Sequence, residues 1–144
     1  INERIKYKKC HNLLNNNGQL GLFWYFSVIE SQESLNILNS ILKKYNTGFA
    51  CLGIDDCHNY FDKERNKLEN TEYFKNIKEY LFEGLSTKQD AKLFIERINT
   101  TSAFASLDEQ TKIMVSNELN EAINSNGGSV ISKLMYSLYI VGKV

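Results

Sequence analysis

The sequence predicts a mainly α fold, a compact helical domain of about five to six helices. Apolar residues recur at helical spacing in several segments, and glycine or asparagine follows most of these segments. The chain contains no proline, so we expect its helices to end at Gly, Asn and Ser caps. Segments near residues 22-29 and 49-54 have the composition of strands and, if both are strands, form a small two-stranded sheet.

The first helix is predicted around Ile5, Leu13 and Leu14, and it ends at the polar residues 15–18. Residues 22-29 follow, and their aromatic and β-branched side chains predict a buried strand.

A second helix is predicted to begin at Ser31 and to end before Gly48, with Leu35, Leu38 and Leu42 on one face. Residues 49-54 are the second predicted strand, so the two strands and this helix have the order of a βαβ unit.

Residues 56–68 are polar and lack a regular apolar pattern, but four helices are predicted from Thr71 onward and form a compact bundle. Ser86 with Gln89, and Ser106 with Glu109, are the predicted capping boxes of two of these helices. The four apolar faces contain Tyr73, Phe74, Ile77, Tyr80 and Leu81; Ala91, Phe94, Ile95 and Ile98; Ile113, Met114, Leu119, Ala122 and Ile123; and Ile131, Leu134, Met135 and Leu138. The chain has no internal repeat or linker, so residues 1-144 are predicted to form a single domain.

The charge balance argues against a broad nucleic-acid surface, because 17 basic and 17 acidic side chains leave no surplus to neutralise phosphates. No run of 18 apolar residues predicts a membrane span, and residues 1–4 lack the apolar core of a leader peptide. Three cysteines are an odd number, which favours free thiols and a cytoplasmic location. A Cys51–Cys57 bridge is the alternative that the spacing leaves open.

The densest group of reactive side chains is Asp55, Asp56, Cys57 and His58, directly after the second predicted strand. A histidine beside a cysteine lowers the thiol pKa, so one hypothesis is an enzyme centred on Cys57-His58. Sequence neighbours rarely point in the same direction, and the alternative is a helix start with Cys57 packed in the core.

No metal or cofactor site is predicted. The Cys10-His11 and Cys57-His58 pairs lack the spacing of zinc ligands, and the eight glycines form no phosphate-binding loop. Glu118 and Glu121 share a predicted helix face that fits a divalent ion, a basic partner or plain solvation.

Tyr is among the side chains most enriched at interfaces, but core packing is the favoured explanation of these rings. By elimination, because the chain is small and no catalytic constellation is found in it, the sequence predicts a non-catalytic protein-binding domain, more specifically a bacterial immunity or antitoxin-type protein that neutralises a cognate toxin by occluding it. The enzyme is one alternative, and a helical regulatory domain that binds nucleic acid through residues 6–9 is the other. The predicted partner-binding residues are Tyr60, Phe61, Glu64, Tyr73 and Glu118, the carboxylates being included to attract a basic toxin.

Overall fold

The computed structural model describes the chain from Glu3 to Val144, and its side chains from Ile5 onward. The expectation about a leader peptide depends on Ile1 and Asn2, which lie outside the described residues. Within those residues the chain has a mixed α/β fold of six helices and five strands. The helices are α1 (Glu3–Leu13), α2 (Gln32–Lys44), α3 (Ile54–Glu69), α4 (Ala91–Asn99), α5 (Ser102–Ala105) and α6 (Glu109–Ser125). The strands are β1 (Gln19–Ile29), β2 (Leu52–Gly53), β3 (Phe74–Glu83), β4 (Thr87–Asp90) and β5 (Ser129–Lys143).

The five strands form one mixed sheet in the order β2-β1-β5-β3, with β4 paired to the first part of β5. The prediction of a mainly α, all-α fold is therefore wrong. The segments predicted as the first and last helices of the C-terminal bundle are the antiparallel strands β3 and β5.

The pattern of apolar residues in β5 explains why the sequence predicts a helix there. Ile131, Leu134, Met135 and Leu138 recur at helical spacing, but the C-terminal half of this strand is apolar on both faces, which hides the two-residue period of a strand. In β3 a register shift between Lys75 and Lys78 interrupts the alternation.

Strands β1 and β2 are parallel, with Val28 opposite Leu52 and Ile29 opposite Gly53, and α2 connects them. The side chain of Ser31 caps α2 by accepting a hydrogen bond from the amide of Ser34. Only two residues of the predicted strand 49-54 are extended and paired.

The caps of the later helices differ from those predicted. Asp90 and Asp108 accept the amide hydrogen bonds of Leu93 and Thr111 and so begin α4 and α6. Ser86 comes just before β4, and the polar segment 56–68 lies within α3.

The chain divides into two compact units. Of the described residues, unit 1 contains 3–26, Asp55–Gly84 and Met135–Val144, and unit 2 contains Ser27–Ile54 and Leu85–Leu134. In unit 1, α1 and α3 pack on the sheet through a cluster that includes Tyr7, Leu68, Phe74, Tyr139 and Val141. In unit 2, α2 and α4 both pack against α6. The core of unit 2 includes Leu38, Leu42, Phe94, Ile98, Phe104, Val115 and Leu119.

No helix in the described part of the chain is both long and apolar enough to cross a membrane.

Candidate docking surface

The sheet of unit 1 has two faces that differ in what covers them. On its inner face, Trp24 of β1 contacts Tyr139 of β5 edge to face, with ring centroids 5.7 Å apart. Phe26 lies on the same face and contacts Phe61 of α3 at 5.8 Å. The helices α1 and α3 cover part of this inner face, while Leu81 of β3, which points to the same side, is 48% exposed.

The outer face carries the alternate residues of the same strands, because successive side chains of a strand point to opposite sides. The register of β3 and β5 places Phe82 opposite Tyr136, Tyr80 opposite Leu138, and Lys78 opposite Ile140. We name the following twelve outward residues the aromatic face: Gln19, Gly21, Phe23 and Tyr25 of β1; Lys75, Lys78, Tyr80 and Phe82 of β3; and Tyr136, Leu138, Ile140 and Gly142 of β5.

Three rings form the centre of the aromatic face. Phe23 and Tyr136 stack with centroids 6.0 Å apart and planes inclined by 24°. Tyr25 lies 6.3 Å from Tyr136 and 6.1 Å from Phe23. The rings therefore lie side by side across two neighbouring strands.

The aromatic face is open to solvent. Phe23, Tyr25, Tyr80 and Phe82 are exposed by 57%, 61%, 43% and 54%. At about 200 Å² for each side chain, these four rings present roughly 400 Å². A contiguous apolar patch of this size is as large as the largest patch on a typical monomer, and such patches are often functional.

One end of the aromatic face is basic. Lys75 pairs with Gly142 and Lys78 with Ile140, and these two partners are two residues apart on β5. The bulge between the lysines, where Asn76 has a φ of 55°, therefore brings both lysines to the same face. In a regular strand, two residues three positions apart would point to opposite faces.

An open cleft of about 520 Å³ lies at this basic end. Its lining includes Lys75, Lys78 and Ile140 from the aromatic face, together with Asn17 and Asn76. Asn17, like Asn76, has a positive φ, here 66°. The lining therefore contains three lysines, the third being Lys143, whose ammonium group donates to the carbonyl oxygen of Leu14. It also contains three amide side chains, the third being Gln19, and the apolar side chain of Ile140.

Four of the predicted partner-binding residues belong to unit 1. Tyr60 is partly exposed, and its ring contacts Phe26 at 4.8 Å. Tyr73 is half-buried beside His11. Phe61 and Glu64 are only 1% and 4% exposed, and the Glu64 carboxylate accepts a hydrogen bond from Lys67 at 2.6 Å.

The fifth predicted residue, Glu118, lies in unit 2 on α6 and is half-buried. Its carboxylate accepts hydrogen bonds from Lys44 and from the Tyr45 hydroxyl, each at 2.7 Å. These two hydrogen bonds hold the pKa of Glu118 below its usual value. Glu118 is thus already engaged within its own unit.

The Cys57 thiol is fully buried on α3, and burial raises its pKa to about 11. Burial likewise raises the pKa of Cys51 to about 11. Both thiols therefore stay protonated at neutral pH, whereas a catalytic cysteine must ionise. Cys10, Cys51 and Cys57 are all free thiols.

Two other candidate sites can be placed. In the basic segment 6–9 the one aromatic side chain, Tyr7, is buried, so it offers no ring for stacking on a base. In the part of the chain that the structure describes, no three His, Cys, Asp or Glu side chains are grouped closely enough to hold a metal ion.

The sequence did contain a signal for the aromatic face. Tyr80 and Phe82, and likewise Tyr136 and Leu138, are spaced two apart, as residues on one face of a strand must be. Apolar residues in the same segments also recur at helical spacing, and that spacing predicts helices instead of strands. Phe23 and Tyr25 belong to a predicted strand, but the composition of their run predicts that the strand is buried.

Comparison with known proteins adds no family. The chain matches no protein-family model, and no curated protein sequence is significantly similar to it.

Proposed function

We propose that this protein is a non-catalytic protein-binding domain and that the aromatic face is its docking surface. The observation that carries the proposal is the group of five aromatic side chains, from three strands, on one sheet face, four of them exposed in the described part of the chain. Tyr and Phe are enriched at the centres of protein interfaces, where charged residues are depleted. The centre of the aromatic face has this composition.

The exposed rings can supply the apolar centre of an interface. Burying roughly 400 Å² of apolar surface contributes about 10 kcal/mol before the cost of association is subtracted. That cost is roughly 4–15 kcal/mol, so the rings need a polar rim around them to reach useful affinity. A standard interface covers about 800 Å² on each partner, which leaves room for such a rim.

As the specific role, we propose a bacterial immunity or antitoxin-type protein that acts in the cytoplasm and neutralises a cognate toxin by occluding it. Occlusion requires a docking surface and no reactive group on the inhibitor. Three free thiols are compatible with a reducing compartment.

The alternatives have less support. An enzyme centred on Cys57-His58 would have to ionise a thiol that is fully buried and whose pKa is about 11. Nucleic-acid binding through residues 6–9 would have to do without Tyr7, which is buried.

The proposal can be tested by co-expression. The product of the adjacent gene is expressed alone to establish whether it inhibits growth, and then together with this chain. We expect the chain to restore growth and to form a complex with that product. Phe23→Ser and Tyr25→Ser should each weaken the complex by more than about tenfold, as truncation of a central anchor does.

Leu85→Ser and Ile113→Ser are the matched controls, because these side chains are also exposed but lie in unit 2. They should leave the affinity unchanged. If the aromatic variants protect as well as the unmodified chain, while Cys57→Ser with His58→Ala removes protection, the proposal is wrong and the enzyme alternative replaces it.

A further inference from the structure

The basic end of the aromatic face lacks a negative charge to balance it. Among the twelve outward residues there are two lysines and no carboxylate. Neither Lys75 nor Lys78 takes part in an ion pair within the described residues. Both side chains are exposed, so their ammonium groups remain available to a ligand.

The nearest carboxylate along β3, that of Glu79, is directed elsewhere. Glu79 pairs with Tyr139 in the register and so points to the inner face. There it accepts hydrogen bonds from the Tyr139 hydroxyl at 2.9 Å and from Arg65 at 3.1 Å. Within the described residues, Arg65 therefore balances the charge of Glu79 on the inner face, whereas Lys75 and Lys78 on the outer face have no ion-pair partner.

The cleft gives these two charges a defined position. Lys75 and Lys78 line it together with the amide side chains of Asn17, Gln19 and Asn76 and with Ile140. A third lysine of the lining, Lys143, donates to the carbonyl oxygen of Leu14. Ammonium and amide groups both donate hydrogen bonds to a carboxylate. The cleft is thus suited to an acidic side chain next to an apolar one.

We infer that the partner of the aromatic face is a protein whose docking surface is apolar at its centre and carries carboxylates that enter this cleft. The inference rests on the proposed function and adds the chemistry of the partner. Lys75 and Lys78 orient the partner, because charge complementarity determines the register of a complex and speeds its formation.

A second copy of this chain fits the surface less well. In a symmetric dimer the basic end of one aromatic face would meet the other copy's face, which has no carboxylate to pair with the lysines. A nucleic acid fits less well because strong binding to phosphates requires several cations, and this surface has two.

Defined probes can test the chemistry of the partner. The first is an extended peptide of ten residues in which leucine and phenylalanine alternate with glutamate, and the second has glutamine in place of every glutamate. A single-stranded oligothymidylate is the third. Binding is measured by fluorescence anisotropy and by amide NMR shifts of β1 and β3.

We expect the glutamate peptide to bind and to shift the amides of residues 75–82, and the glutamine peptide to bind about tenfold more weakly. Lys75→Glu and Lys78→Glu should each lose about tenfold in affinity for the glutamate peptide. Lys88→Glu is the control, since this lysine is exposed in unit 2. Added salt should weaken binding of the glutamate peptide more than that of the glutamine peptide.

Equal binding of the two peptides, no binding of either, or tighter binding of oligothymidylate would each overturn the inference. So would a homodimer in sedimentation that Phe23→Ser dissociates. The proposed function has a separate outcome: if Phe23→Ser weakens the toxin complex but Lys75→Glu and Lys78→Glu do not, the docking surface stands and only the acidic partner is rejected.

Discussion

Phe23 and Trp24 are neighbours in β1, but their side chains lie on opposite faces of the sheet of unit 1. Phe23 is 57% exposed, whereas the Trp24 ring contacts Tyr139 on the inner, helix-covered face. Two adjacent aromatic residues therefore have different physical roles. The inner ring stabilises the fold, and the outer ring is kept at the surface although its burial would be favourable.

This difference can be measured by substitution. Trp24→Ala should lower the free energy of unfolding by about 2–4 kcal/mol, because it removes packed aromatic surface and leaves a cavity. Phe23→Ala should change the free energy of unfolding by less than about 1 kcal/mol, since surface substitutions rarely matter more. Urea denaturation followed by circular dichroism gives both values. Equal losses would mean that Phe23 is part of the core and not of a docking surface.

The buried hydroxyl of Tyr139 provides a second test. Its one proton is shared between the carbonyl oxygen of Phe61 and the carboxylate of Glu79, each 2.9 Å from the hydroxyl oxygen, and burial raises the pKa of Tyr139 above its usual value. Tyr139→Phe removes this donor, leaves Glu79 with its hydrogen bond from Arg65, and should cost about 1–3 kcal/mol in the free energy of unfolding.

Tyr25→Phe is the matched control for this change, because Tyr25 is exposed and its hydroxyl is open to water. Thermal unfolding of both variants is the measurement, and Tyr25→Phe should unfold at the temperature of the unmodified chain. A Tyr139→Phe variant as stable as the unmodified chain would mean that water replaces the lost donor.

The sequence predicts an element of this fold correctly where one face of the element is apolar and the other is polar. The amphipathic face of Leu35, Leu38 and Leu42 correctly predicted α2, because one side of that helix is buried and the other is solvated. For β5 the same reasoning failed, because in its C-terminal half one face packs in the core and the other is apolar but only half-buried. A strand with two apolar faces has no amphipathic period, and only its pairing with β3 reveals its conformation.

The candidate site was harder to predict for the same reason. Tyr80 and Phe82 join Tyr136 and Leu138 only through the antiparallel register, and the sequence separation between the two pairs is more than fifty residues. Tyr60 and Phe61 were chosen because charged residues surround them in the sequence. Phe61 nevertheless lies on the buried side of α3, because a helix can hide an aromatic residue whose sequence neighbours are polar.

Two buried thiols should make the free energy of unfolding depend on pH in the alkaline range. Burial raises the pKa of Cys51 and of Cys57 from 9.0 to about 11. In the unfolded chain these thiols ionise near pH 9, but in the folded chain they ionise only near pH 11. The contribution of these raised pKa values to the free energy of unfolding is therefore fully present below pH 9 and is lost as the pH rises towards 11.

Urea denaturation between pH 7 and 10.5 should show this loss. Cys57→Ala should make the slope shallower, because it removes one of the two buried thiols. A thiol reagent should label Cys10 first in the folded protein and all three thiols after denaturation. Rapid labelling of Cys57 at neutral pH would contradict the structure and favour the enzyme alternative.

The bulge at Asn76 should determine whether the two lysines can act together. Asn76 has a φ of 55°, a conformation that asparagine and glycine adopt far more readily than other residues. Asn76→Gly should therefore preserve the bulge and change the free energy of unfolding little.

Asn76→Val should cost about 1–2 kcal/mol in the free energy of unfolding, or shift the register of β3, because a β-branched side chain is strained there. A shift of one residue would move Lys78 to the inner face and separate it from Lys75 in the cleft. Amide NMR of β3 reports the register, and the glutamate peptide reports the cleft. We expect Asn76→Gly to bind that peptide normally and Asn76→Val to bind it less well, even at temperatures where both variants are fully folded. If the valine variant keeps both its register and its affinity, the bulge is not what brings Lys75 and Lys78 together.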